Sequence, residues 1–145
     1  MRKPVHILLV EDNEGDILLT TEALEESEIA NKISVVRNGK EALDWVFKRH
    51  QHENSEAPDL ILLDVNLPLK NGHEVLQAIK SDDTVEHIPV IMLTTSSSEK
   101  DVHLSYQYAA NCYITKPVEV SDFLNAISTL CRFWIKVVTL PKSKI

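Results

Sequence analysis

Glycine is scarce in this chain, with three residues in 145. That scarcity argues against a nucleotide-binding α/β domain, whose first turn is rich in glycine, and "VEDNEGD" places acids where a phosphate would sit. Cysteine is scarcer still. Cys112 and Cys131 form no metal-ligand or disulfide framework, so a reducing cytoplasm is the expectation. No apolar stretch approaches the roughly 20 residues of a membrane span. Positive charge is short as well, with 15 Lys and Arg against 22 Asp and Glu and a formal net charge of −7. Such a surface does not attract nucleic acid or anionic membrane. The N-terminal "MRKPVHILLVEDN" has too short an apolar run, ending in acids, for a signal peptide, and reads as a first strand. Internal repeats, low-complexity tracts and inter-domain linkers are absent from the pattern.

What is present is a regular alternation. Apolar runs at Val5–Val10, Ile33–Val36, Leu60–Leu63, Val90–Leu93 and Cys112–Ile114 alternate with helix-period segments. These segments are "EGDILLTTEALEES", with Ile17, Leu18, Thr21 and Leu24 on one side, then "GKEALDWVFKRH", "GHEVLQAIKSD", "EKDVHLSYQYAA" and "VSDFLNAISTLCRFWIKVV". Five β-α units predict an α/β fold with a five-stranded parallel sheet and helices on both faces. One domain covers 1–145, with a core over about 5–138 and a tail over 139–145. "HQHENSEAPD" reads as a surface loop, the six histidines as surface or loop residues, and the two "NG" pairs as turns.

In open α/β sheets, ligands bind beyond the carboxyl ends of the strands. The residues there are Glu11 and Asp12 after the first strand, Asp64 after the third, Thr94 after the fourth and Lys116–Pro117 after the fifth. Three carboxylates in one place repel one another and call for protons or a cation. A hard divalent ion with oxygen ligands suits them, Mg²⁺ best. A lysine and a hydroxyl beside them make sense as a clamp for an incoming anion. The set describes a phosphoryl-transfer site whose nucleophile is a carboxylate, and Asp64, at the end of "LILLD", is the best placed. The plainer reading, strand-end acids capping helices, suits Asp12 or Asn13 but leaves Asp64, Thr94 and Lys116 unexplained together.

The strings "LLVEDNEGD", "DLILLDVNLPLKNG", "PVIMLTTS" and "CYITKP" resemble the receiver domain of two-component response regulators over about residues 5–130. The resemblance implies a flavodoxin-like (βα)5 fold. It further implies that Asp64 accepts a phosphoryl group from a sensor histidine kinase. Mg²⁺ would be held by Glu11, Asp12, Asp64 and the Asn66 backbone carbonyl. Thr94 and Lys116 would bind the phosphoryl oxygens, Tyr113 would change rotamer on activation, and Lys116–Pro117 would be cis. "NCYITKP", "LTTS" and "FWIKVVTLP" are similar to single-domain receivers that partner cyanobacterial phytochromes, which points to a phytochrome-type kinase. Such a protein is a phosphoacceptor that catalyses only its own phosphorylation and dephosphorylation. It would signal through contacts with other proteins, a further phosphotransfer protein among them. Two positions depart from the pattern: Ala109, where a glycine is usual, would end its helix less sharply, and Thr95 would hinder the hydrolytic water.

Phe123, Ile127, Leu130 and Trp134 form one stripe on the last helix; Leu124, Cys131, Ile135 and Val138 form a second about 100° away. One stripe suffices to pack on a sheet. The second, with Tyr106, Phe133 and Trp134, makes a two-fold homodimer face through the fourth helix, fifth strand and fifth helix; the competing reading is a wide core face, with Phe133 and Trp134 covering the domain's end. Two further functional readings stand beside the phosphorylated switch. A Mg²⁺-dependent phosphohydrolase would need an aspartate at position 66, which is Asn66. A constitutive interaction module would leave Asp64, Thr94 and Lys116 without a task.

Overall fold

The computed structural model describes residues 5–26 and 31–141, with the side chains of 31 and 135–137 left aside. Most of the expected tail, 142–145, lies outside the described residues. Five strands form one parallel sheet in the order β2-β1-β3-β4-β5: β1 Val5–Val10, β2 Asn31–Val36, β3 Leu60–Leu63, β4 Val90–Thr94 and β5 Cys112–Thr115. The helices are α1 Glu14–Glu26, α2 Gly39–Val46, α3 Gly72–Lys80, α4 Glu99–Gln107 and α5 Val120–Cys131.

Alternate residues of the buried strands feed two cores, because strand side chains alternate in direction. Ile7, Leu9, Leu60, Leu62, Ile91 and Leu93 pack with Ile17 and Leu24 of α1 and Phe123, Ile127 and Leu130 of α5. Leu8, Val10, Ile61, Leu63, Val90 and Met92 pack with α2 and α3 through Ala42, Val46, Val75, Leu76 and Ile79. Strands buried on both faces must read as continuous apolar runs, and these do. The chain leaves β1 for β2 on one side and returns to β3 on the other. That reversal opens a crevice at the ends of β1 and β3.

Several local expectations change in the folded chain. Leu18 is exposed, and Thr20 takes the buried place on α1. The two "NG" pairs are helix starts rather than turns: Asn38 and Asn71 are N-caps that accept from Glu41 N and Glu74 N, at 2.7 and 2.9 Å. The glycine after each cap is needed for space. A Cβ on Gly39 would lie 1.9 Å from the Lys70 carbonyl oxygen, and one on Gly72 would lie 2.1 Å from that of Asp64.

Histidine burial also differs from expectation. His6 is buried on β1 with Nε2 2.8 Å from Ser34 Oγ, and His73 is half-buried between α3 and α4. The polar loop after α2 is folded back by Ser55 Oγ donating to Trp45 O at 2.7 Å, with a short 3-10 turn at His50–His52.

Helix α4 ends sharply after all. Ala109 takes the left-handed conformation itself, φ 70°, and Ala110 N donates to Ser105 O at 2.9 Å. Helix α5 passes into a π-helical turn at Arg132–Val137.

Candidate functional site

Of the strand-end residues picked out in the sequence, Glu11, Asp12, Asp64 and Lys116 come together at the crevice, and Thr94 stands at the end of β4, its carbonyl bonded to Lys116 N. Glu11, Asp64, Thr94 and Lys116 are all nearly buried, and Asp12 is exposed. Asn13 caps α1 by accepting from Asp16 N at 2.9 Å, so the capping role does not consume Asp12. One oxygen from each of Glu11, Asp12 and Asp64 can be chosen so that all three lie within 4.8 Å of one another. An all-oxygen, anionic donor set of that span fits a hard divalent cation. Asp64 Oδ1 also accepts from Asn66 N at 3.2 Å, which fixes the carboxylate against its own following turn.

Lys116 compensates the acids. Its Nζ lies 2.7 Å from Glu11 Oε2, 3.0 Å from Asp16 Oδ2 and 3.4 Å from Asp64 Oδ2. Burial works against the ammonium, but the hydrogen bond to Glu11 and the charges of Asp64 and Glu11 outweigh it and hold the lysine pKa above its usual value. Burial is also the main reason that Glu11 is pushed up, to about 7; the Lys116 hydrogen bond opposes this and the Asp64 charge adds to it. Asp16 is a member of this cluster that sequence reasoning missed. Its position in the first turn of α1 was the available signal, but a helix-start acid has an ordinary role at the helix dipole.

The expected cis bond is not found. Among the described residues there is no cis peptide bond, so Lys116–Pro117 is trans. Trans is intrinsically favoured by roughly 0.5–1 kcal/mol even before proline. The segment beyond it runs outward, leaving Val118 98% exposed, so packing does not force the other isomer. Lys116 N still donates to Thr94 O at 2.7 Å, and the ammonium still reaches the acids.

Thr94 is linked to the far edge of the sheet. Its Oγ1 accepts from Ser96 N at 3.3 Å, Ser96 Oγ donates to Asp101 Oδ2 at 2.6 Å, and the Ser96 carbonyl accepts from Tyr113 Oη at 2.7 Å. A threonine hydroxyl carries a proton as well as lone pairs, so it can donate to an anion while accepting from Ser96. Burial pushes the Tyr113 phenol up, which keeps it a donor. Tyr106 Oη accepts from Tyr113 N at 3.2 Å.

Of the proposed dimer face, Tyr106 and Phe133 are about half exposed, and Leu124 and Val138 are partly exposed. Trp134 is half-buried against the α1/α5 core, with its ring 5.9 Å from that of Phe133. Cys131 does not belong to the face. At 1% exposure it fills the same core, because the apolar side of α5 is wider than one stripe. The Ile135 side chain lies outside what is described.

Comparison with known proteins agrees with this arrangement. Residues 7–128 match the response regulator receiver domain. The chain belongs to that family. It is 43% identical over 138 residues to the response regulator Rcp1 of Synechocystis sp., covering 95% of this chain and 94% of that protein. Among solved structures, the phosphorylated cyanobacterial phytochrome response regulator RcpA superposes with a TM-score of 0.94 at 44% identity, over 97% of this chain and all of the other. The Mn²⁺-bound form of Rcp1 gives 0.93 at 42%, over 96% of this chain and all of the other. As a receiver, the protein has the five-stranded parallel (βα)5 fold expected from its sequence.

Proposed function

We propose that Asp64 is the phosphoacceptor of this receiver and that a sensor histidine kinase of the phytochrome type is its donor. One observation carries the reading: a nearly buried carboxylate lies 3.4 Å from a buried lysine and within ligand span of Glu11 and Asp12. In the transfer, an Asp64 carboxylate oxygen attacks phosphorus, the O–P bond forms as the donor histidine's N–P bond breaks, and the imidazole leaves with that electron pair. Mg²⁺, held by Glu11, Asp12, Asp64 and the Asn66 carbonyl, would supply charge neutralisation between acceptor and phosphoryl oxygens. Lys116 would turn from Glu11 towards the new anion, and the Thr94 hydroxyl would donate to it. That movement would draw on the Thr94–Ser96–Tyr113 connection and bias the α4-β5-α5 face between two arrangements. The similarity to RcpA, a cyanobacterial phytochrome response regulator, supports a phytochrome donor; signalling in the cytoplasm by protein contact, a further phosphotransfer protein included, belongs to the same proposal.

The test is intact-mass analysis after acetyl phosphate, with and without Mg²⁺, for wild type and Asp64→Asn. A single base-labile phosphate that needs Mg²⁺ and is lost in the variant is the expected result. No uptake from acetyl phosphate or from a phytochrome kinase would leave the constitutive interaction module as the better reading.

A homodimer through Tyr106, Leu124, Phe133, Trp134 and Val138 is the second proposal, supported by the half exposure of two large aromatic rings, Tyr106 on α4 and Phe133 just after α5. Sedimentation on dilution, with and without phosphorylation, tests it; a strict monomer at high micromolar concentration is the opposing result.

A further inference from the structure

The first turn of α4 is held from two directions, and only one of them leads to Thr94 and Tyr113. On that side, Ser96 Oγ bonds the Asp101 carboxylate. On the other, His73 at the start of α3 reaches across to α4. Its Nε2 lies 3.1 Å from the Asp101 carbonyl oxygen and 3.0 Å from Ser105 Oγ. Ser105 is fully buried, and its hydroxyl donates to the same carbonyl at 2.8 Å. A carbonyl can only accept, and the single serine proton is used on it, so the consistent arrangement has a proton on Nε2 donating to both oxygens.

His73 follows Gly72, whose N donates to Val65 O at 2.8 Å and whose Cα has no room for a Cβ against the Asp64 carbonyl. The ring therefore stands on a segment bonded to the backbone of Val65 and packed against that of Asp64. We propose that His73 is a positioning residue that sets the resting place of α4 relative to the Asp64 turn, so that α4 must break or carry this bond when the receiver switches. The inference rests on the reading of Asp64 as acceptor for its consequence, but not for its geometry.

The experiment compares wild type, His73→Leu and His73→Gln. It reads amide hydrogen exchange of 96–110 before and after treatment with acetyl phosphate and Mg²⁺, with phosphate uptake measured by intact mass. In His73→Leu, exchange in α4 before phosphorylation rises and uptake quickens, each by roughly two- to fivefold, the effect of one net hydrogen bond. The phosphorylation-dependent change in α4 shrinks accordingly, and glutamine, whose amide can donate from a similar reach, restores both. A resting α4 that exchanges identically in wild type and His73→Leu overturns the proposal, whatever the phosphate uptake. Normal α4 effects with no uptake in any form would overturn the acceptor reading instead and leave the positioning role standing.

Discussion

Tyr113 Oη donates to the carbonyl oxygen of Ser96 at 2.7 Å, so the last strand is pinned to the segment that leads out of the fourth. The ring is half-buried against the α2/α3 core, and its main-chain N is in turn received by Tyr106.

Tyr113→Phe removes that single bond while leaving the ring's packing. The expected cost is about 1 kcal/mol of stability, readable as a lower urea midpoint with unchanged slope. Phosphate uptake at Asp64 is expected to persist, while the protection of residues 96–98 from exchange falls.

Glu11 makes the fold pH-dependent. Its folded pKa of about 7 is above the 4.5 of the unfolded chain. Between those values the folded state binds a proton that the unfolded state does not, so this group's contribution to stability is full at low pH and is lost as pH rises through about 7. The loss is on the order of 3 kcal/mol. Urea unfolding in a chelator at pH 5 and pH 8 measures it, and Glu11→Gln is expected to flatten the difference. A divalent cation, which competes with that proton, should bind more tightly as pH rises and recover stability at pH 8.

Ala109→Gly is expected to stabilise the protein by about 1 kcal/mol. The alanine is held at φ 70°, where its Cβ crowds the backbone and a glycine would not. A higher urea midpoint with no change in phosphate uptake is the result that checks this.

Gly72→Ala should do the opposite. Its Cβ would meet the Asp64 carbonyl at 2.1 Å, and backbone on both sides has to shift. A loss of roughly 2 kcal/mol or more is expected, together with slower uptake from acetyl phosphate, because the displaced atom belongs to Asp64, the proposed acceptor.

Much of this was legible in the chain because the relevant signals are local. Strands β1, β3 and β4 are buried on both faces, so each announces itself as an apolar run, and the residues at their ends follow by counting. Relations across the fold were not legible. Asp16 looks like any acid in a first helical turn until Lys116 arrives from 100 residues away. His6 and His73 carry no ligand spacing, yet the sheet buries one and α4 engages the other. Asn38 and Asn71 were read as turns because asparagine followed by glycine suits turns and caps alike. Cys131 lies on the second stripe by helical angle, but the width of the α5 core decides its surroundings. The trans bond at Pro117 shows the limit of resemblance: a motif transfers residue types more safely than isomer states.

Gly39 and Gly72 both press on the stretch from Asp64 to Lys70, one abutting Lys70 and the other abutting Asp64 itself. The turn after Asp64 is thus held at two points by the starts of two helices. On the side of Thr94, Ser96 and Tyr113, the side-chain links are single hydrogen bonds, from Ser96 N to Thr94 Oγ1 and from Tyr113 Oη to the Ser96 carbonyl. If Asp64 is the acceptor, as proposed, charge arriving there would move the Thr94–Ser96–Tyr113 side before the side held by glycine, so the direction in which a signal leaves would follow from where the chain spent two of its three glycines.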